Sequence, residues 1–471
     1  MTATTLSSLG FQIRSADLVD SVLVPRYYDH QLRQDLAGLG VGYSPITLGS
    51  LVEEERIVVQ TGHEVGKMAY GTGDIPFIRT SDLSNWELKS DPKHAVSEAI
   101  YEEYSQRQSA APGDIFLVRD GTYLIGTSAV ITESDLPILF QSHLVRFRIA
   151  EGSPLNPFAL LALLNAPIVQ RQIRAKQFTA DIIDTIGNRY LEIVLPIPEG
   201  DRLDALARDT ERIVERRAFL RKSLGELPDL LVPPAPELEG VDAEPRNLGF
   251  RTSSQEVGQM FMPKYHDPAL RRDVAALEAD YHLKTIGDLV KAGALSVHTG
   301  VEVGKMAYAT GDVPFVRTSD ISNFELKTDP KQRVNPSYLV QYPQGADVQG
   351  EDILLVRDGT YLVGKSAMVT DDDLPMLFAG GIYQLRCERS EVLDPYLLLL
   401  LLNTQIVKRQ LKARQFTRDI IDTLGRRIFE VQLPVPADDA RAVDLALRAR
   451  EAINERAKLR RDLESLFSSL P

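Results

Sequence analysis

The chain predicts an α/β (α+β) protein with two similar domains, each a small twisted sheet with helices, separated by two long antiparallel coiled-coil helices in a pseudo-twofold arrangement. Three observations carry this. The segment TGHEVGKMAYGTGDIPFIRTSDLSNWELKSD, from Thr61 to Asp91, returns as TGVEVGKMAYATGDVPFVRTSDISNFELKTD, from Thr299 to Asp329, with roughly three residues in four unchanged. Short apolar alternations in both copies have the two-residue period of half-buried strands. A long charged stretch with apolar residues at three-four spacing follows each copy.

The repeat extends well beyond that segment. One offset, about 240 residues, also aligns RYYDHQLRQDL at Arg26 with KYHDPALRRDV at Lys264, FLVRDGTYLIG at Phe116 with LLVRDGTYLVG at Leu354, and KQFTADIIDTIG at Lys176 with RQFTRDIIDTLG at Arg414. Solenoid units run about 20 to 50 residues, so this is a tandem pair of whole domains. The expected divisions are a first domain over 1–198, a first long helix over 199–230, a proline-rich linker over 231–249, a second domain over 250–436 and a second long helix over 437–471.

Within each copy DIPFIRT, DIFLVRD, SAVITE and LVRFRIA read as strands, punctuated by Gly-Asp and Asp-Gly turns. NPFALLALLNAPIVQRQIRAKQF and DPYLLLLLLNTQIVKRQLKARQF read as one helical stretch each, N-capped by Asn156 or Asp394 with proline in the first turn. A strand ending in Pro-x-Pro closes each copy, at Pro198 and Pro436. The helix after the first copy places Leu203, Leu206, Thr210, Ile213, Arg217, Leu220, Leu224 and Leu227 on one seam, and the second places Leu445, Ala449, Ala452, Arg456, Leu459, Leu463, Leu466 and Leu470. Each seam needs a partner, and the simplest one is the other helix, antiparallel, with the globular copies at opposite ends. Such a rod is roughly 40 Å long, close to one turn of B-DNA.

Composition narrows the function classes. At 471 residues the chain has room for about two to four domains. The single cysteine, Cys387, excludes internal disulfides and cysteine-rich zinc sites. The opening residues lack the basic flank and apolar stretch of a signal peptide, and the leucine run 397–402 is too short to cross a bilayer, so a cytoplasmic protein without membrane contact is expected. A net charge of -13 argues against indiscriminate polyanion binding. Any DNA contact must come from local patches or from basic partners.

Catalytic templates fit poorly. TGHEVGK and TGVEVGK miss a phosphate-binding loop by one residue of glycine spacing, and Met68 or Met306 stands where a magnesium-binding hydroxyl belongs. Lys67 and Lys305 either face a ligand phosphate or are simply solvated. NPF and DPY resemble an amino-methyltransferase tripeptide signature, but helix capping explains them better. His63 faces Val301 in the other copy, so neither copy needs it. Asp120 and Asp358, in RDGTY, suit a tight turn better than a metal site. No metal ligand set and no catalytic residue is expected.

Three duplicated clusters suit nucleic acid. They are RTSD (Arg79, Thr80, Ser81; Arg317, Thr318, Ser319), RDGTY (Arg119, Thr122, Tyr123; Arg357, Thr360, Tyr361), and the basic helix end with its loop (Arg174, Lys176, Gln177, Thr179; Lys412, Arg414, Gln415, Thr417). Arginine grips phosphate or guanine with two N–H groups, glutamine pairs with adenine, and threonine meets a phosphate or the thymine methyl. Arg-Thr-Ser-Asp at a strand end equally suits a turn that caps the next segment, and both readings stand. Lys365, facing Thr127, and Ala379-Gly380-Gly381, facing Gln141-Ser142-His143, are the sharpest differences between the copies. They either make the copies read different sequences or reflect drift at solvent positions.

This arrangement resembles the specificity subunit of type I restriction-modification enzymes, a family with two tandem target-recognition domains each followed by a long helix. The residues that carry the resemblance are GDIPFIRTSDLSN from Gly73, PGDIFLVRDGT from Pro112, QFTADIIDTIGNRYLEIVLPIP from Gln177, and their partners from Gly311, Gly350 and Gln415. RYYDHQL and KYHDPAL are similar to a Tyr-Tyr-Asp-Pro segment of related adenine methyltransferases. One departure is Glu199-Gly200-Asp201-Arg202 and Ala437-Asp438-Asp439-Ala440, where the family commonly has a Glu-Gln pair; it leaves the contact with modification subunits open. The resemblance implies a non-catalytic subunit that binds double-stranded DNA and supplies sequence choice; two copies so alike and pseudo-twofold related predict a bipartite site with similar, inverted halves, a near-palindrome. Adenine methyltransferase (modification) subunits, expected as two, would bring S-adenosylmethionine, and a restriction subunit would bring ATP-driven translocation and cleavage. No cofactor is expected in this chain. Two other readings are kept: a target-recognition component of another methylation-linked phage-defence complex, and a pseudo-dimeric cytosolic enzyme with RDGTY and RTSD lining a pocket between the copies.

Overall fold

The computed structural model describes Leu18, residues 24–121, 123–180, 183–234, 250, 251, 253, 257, 260–359, 361–418 and 421–471. Most of the expected proline-rich linker, 235–249, lies outside the described residues, as do Thr122 and Thr360.

The apolar alternations form strands in both copies. In the first, Ile57–Thr61, Leu144–Ile149, Ile115–Val118 and Ser128–Val130 lie in that order in an antiparallel sheet. Ile115–Val118 is buried at all four positions, which is why it reads as a continuous apolar run. A second sheet orders Ala95–Val96, Ile75–Ile78 and Leu139–Phe140, the last pair parallel. The second copy repeats both sheets in the same register: Val145 stands opposite Leu117, and Tyr383 opposite Leu355. Each closing Pro-x-Pro strand pairs with an earlier strand, Val194–Pro198 with Tyr43–Thr47 and Gln432–Pro436 with Tyr281–Thr285.

The single helical stretch expected in each copy is two helices. In the first copy Pro157–Leu164 and Pro167–Lys176 are broken where Pro167 cannot donate an N–H to the preceding turn. The second copy has no proline there, yet Pro395–Asn403 and Gln405–Arg414 break at Thr404, whose hydroxyl bonds back to the Leu401 carbonyl at 2.7 Å. The N-caps are as expected: Asn156 accepts from Phe158 N at 2.7 Å and Asp394 from Tyr396 N at 2.8 Å.

The charged stretches are helices Asp201–Leu231 and Asp439–Ser468, paired antiparallel. Arg441, near the start of the second, donates to the Leu230 carbonyl at the end of the first, while Arg217 and Arg456 meet halfway. Seam residues Leu206, Ile213, Leu220, Leu224, Leu227, Leu445, Leu459 and Leu463 are buried, and Leu203 and Leu466 partly so. Ala207, Val214, Ala446 and Ile453 are buried as well. The apolar face is therefore wider than a two-stranded seam, and it packs against the leucine helices Pro157–Leu164 and Pro395–Asn403. One apolar core runs from Leu32 in the first copy to Phe467 in the second helix.

The expectation that the copies sit at opposite ends of the rod needs a correction. The rod does run from copy to copy: Tyr281 of the second donates to the Leu231 carbonyl, and Ile168 N of the first donates to the Pro471 carbonyl at 2.9 Å. But the copies also touch directly, at the rod's midpoint. The rod alone therefore does not set their spacing. Among the described residues, no helix is long and apolar enough to cross a membrane.

Candidate nucleic-acid interface

In each copy a two-residue turn joins short strands, Leu83–Ser84 to Glu87–Leu88 and Ile321–Ser322 to Glu325–Leu326. Asn85 and Trp86 have φ of 50° and 64°, Asn323 and Phe324 of 51° and 64°. This is the hairpin turn that suits Asn-Gly; an aromatic at its second position costs on the order of 1–3 kcal/mol. Packing holds it there. Trp86 lies edge-on to Phe467 with ring centroids 5.3 Å apart, and its Nε1 donates to Asn165 Oδ1 at 3.0 Å.

The two turns clasp each other. Asn85 Nδ2 donates to Glu325 Oε1 at 3.0 Å and to the Leu326 carbonyl at 2.9 Å; Asn323 Nδ2 donates to Glu87 Oε1 at 3.0 Å and to the Leu88 carbonyl at 2.9 Å. The rod supplies the counter-charges. Arg217 lies 2.5 Å from Glu325, and Arg456 lies 2.5 Å from Glu87 and 3.0 Å from Glu325. Burial opposes ionisation of Glu325, but Arg217 and Arg456 outweigh it and bring the carboxyl down to about 2. Glu87 is lowered too, against burial, by Arg456 and Arg217. Farther along, Arg221 pairs with Asp135 at 2.5 Å and Arg460 with Asp373 at 2.7 Å.

Around this clasp the RTSD of each copy meets the RDGTY tyrosine of the other. Tyr123 faces Ser319, with the Lys331 ammonium 4.6 Å and the Lys327 ammonium 5.6 Å from its ring centre. Tyr361 faces Ser81, with Lys93 at 4.9 Å and Lys365 at 5.6 Å. Burial raises both phenols. Lys365 also pairs with Asp91 at 2.9 Å, so this difference between the copies serves their mutual contact and is no solvent-exposed drift.

The other predicted residues divide by availability. Lys67 and Lys305 are exposed at the start of one-turn 3-10 helices, Lys67–Ala69 and Lys305–Ala307, and Arg317 is exposed. Thr80 and Ser81, like Thr318 and Ser319, sit in turns closed by Asp82 and Asp320, which accept the Arg79 and Arg317 N–H at 2.9 Å each. Arg119 and Arg357 bind their neighbours Asp120 and Asp358. Arg174 and Lys412 are exposed at helix ends, but Lys176 is held by Glu192 at 2.7 Å, and Arg414 by the Gln410 and Glu430 carbonyls. Gln177 and Gln415 are buried. Thr179 and Thr417 bond Asp184 and Asp422 within their hairpins. Part of the basic helix end is thus an internal brace, through Lys176 and the Arg414 Nη groups, while Gln177 Nε2 and Arg414 Nε are buried without a hydrogen-bond partner.

Sequence reasoning missed Lys93 and Lys331, both exposed, and the clasp residues Asn85, Asn323, Glu87 and Glu325. A signal was present: Lys89 recurs as Lys327 inside the most similar stretch, and Lys93 as Lys331 two residues beyond its end. Among the described residues no cluster of His, Cys, Asp and Glu could hold a metal ion.

No family model matches the chain, and no curated protein does. Several solved structures are similar to it, three of them as follows. The S subunit of a type I restriction-modification system from M. genitalium is 13% identical, with 91% of this chain and 93% of that one covered and a TM-score of 0.33. The HsdS subunit from Thermoanaerobacter tengcongensis is 14% identical, covering 91% and 96%, with a TM-score of 0.27. A chain from work on complex assembly and conformational transition of the type I R-M system is 13% identical, covering 91% and 98%, with a TM-score of 0.27.

Proposed function

We propose that this chain is the DNA-reading specificity subunit of a type I restriction-modification complex, acting on a bipartite, near-palindromic site and directing adenine methylation and cleavage by partner subunits. One observation carries the reading: matched bands of Arg, Lys, Ser and Tyr from both copies converge about a pseudo-twofold axis at the midpoint of the paired helices. Twofold-related contacts select inverted half-sites in one duplex. Lys67, Lys93, Lys305 and Lys331 supply phosphate contacts, and Arg79 and Arg317 reach base edges. Modification and restriction subunits supply the S-adenosylmethionine and ATP chemistry, together with much of the basic surface that an acidic chain lacks. Because the copies touch, their direct contact fixes the spacing of the half-sites together with the rod.

The test is purification of the full chain from its own cells, mass spectrometry of what accompanies it, and a gel shift of the assembly on duplex DNA. A bound methyltransferase and a sequence-selective shift are expected. An assembly that shifts no duplex selectively would overturn the proposal. The convergence of RDGTY and RTSD across the copies also favours the enzyme reading, with a site between the copies; turnover by the purified chain alone would select it.

A further inference from the structure

The repeat allows the two RTSD arginines to be compared in the same backbone frame. Gln141 N donates to the Ile78 carbonyl and Ala379 N to the Val316 carbonyl, both at 2.9 Å. The side chains around the arginines differ. Arg79 Nε donates to Gln141 Oε1 at 3.2 Å, and its Nη1 lies 3.2 Å from His94 Nε2. Gln141 is only 5% exposed, and the His94 ring is stacked on Tyr70 with centroids 4.1 Å apart, so both supports are themselves fixed. Burial, together with Arg79 and Lys93, lowers the His94 pKa and so favours the neutral ring; because a guanidinium only donates, the contact with Arg79 Nη1 requires the tautomer whose Nε2 accepts. In the second copy Ala379 replaces Gln141 and Gln332 replaces His94. Arg317 is exposed there, while Arg79 is half-buried.

A guanidinium held from two sides presents its remaining N–H groups in one direction and loses little rotamer entropy on binding. A free one can follow a phosphate or several base edges. We infer that the two copies read their half-sites with unequal stringency, Gln141 and His94 positioning Arg79 for two-pronged recognition of one guanine while unsupported Arg317 discriminates weakly. This rests on the DNA-reading proposal above and adds what that proposal leaves open: which half-site is strict, and which residues make it so.

The test is selection from a library of duplexes with randomised centres by the full chain and its copurifying partners. Wild type should return one half-site with a sharply defined G·C pair and a matching position in the other half about tenfold less selective. Gln141→Ala should relax the strict half to the level of the other, and Gln141→Glu, which keeps an acceptor facing Arg79, should restore it. Ala379→Gln with Gln332→His should sharpen the second half. The second copy already folds with alanine at this position, and the reverse graft adds groups to it, so loss of fold would not mimic these outcomes. Two equally strict halves, unmoved by any variant while DNA is still selected, would overturn the inference and leave the DNA reading standing. Recovery of no preferred sequence would overturn both.

Discussion

Asn85 and Asn323 do the work of glycine and of a side-chain clamp at once. Each adopts a left-handed φ that asparagine tolerates, and each donates twice into the opposite copy. Asn85→Ala takes one donor from the Leu326 carbonyl and from Glu325 and leaves the Thr328 N–H without its acceptor, so a loss of about 1–3 kcal/mol is expected in urea unfolding. Arg456→Ala should cost more, about 3–5 kcal/mol, because it leaves Glu87 and Glu325 buried beside each other with less compensation. The same group gives a pH signature. The Glu325 carboxyl is depressed in the folded chain, from 4.5 to about 2, so its contribution is full above pH 4.5 and is lost as pH falls toward 2. A stability titration over that window should show the loss, and Glu325→Gln should reduce it to the part that the likewise depressed Glu87 carries.

The elements were unevenly legible. Strands and rod helices follow from apolar period, and their seam residues are buried where spacing puts them; Leu224→Ala, at a fully buried position, should cost about 2–5 kcal/mol by thermal or chemical unfolding. The break at Pro167 was readable from proline chemistry, but the one at Thr404 was not, because threonine continues many helices. The second apolar stripe on the rods, Ala207 and Val214 with Ala446 and Ile453, was hidden among small residues that a leucine-based seam passes over. The candidate site was legible only as separate clusters. Repetition marks RTSD, RDGTY and the lysines as significant, but pairing Tyr123 with Ser319, or Lys365 with Asp91, depends on long-range placement that no local spacing encodes. Lys176 and Arg414 read as ligand-facing in the sequence because charge at a helix end looks solvated until Glu192 and the Glu430 carbonyl are brought against it.

For the whole molecule, a net charge of -13 and a duplicated basic band make opposite demands, and they are reconciled when affinity comes from a few placed cations. Lys93→Ala with Lys331→Ala should then weaken the assembly on all sequences alike and reduce the slope of log affinity against log salt by about two, since each lysine neutralises one phosphate. A larger loss on one sequence than on others would assign these lysines to base reading. The most direct measurement of the central claim is methylome sequencing of the source cells with and without this chain. One N6-methyladenine motif, built from two related and inverted halves, should disappear when the chain is removed; an unchanged methylome, or a lost motif with unrelated halves, would contradict the account.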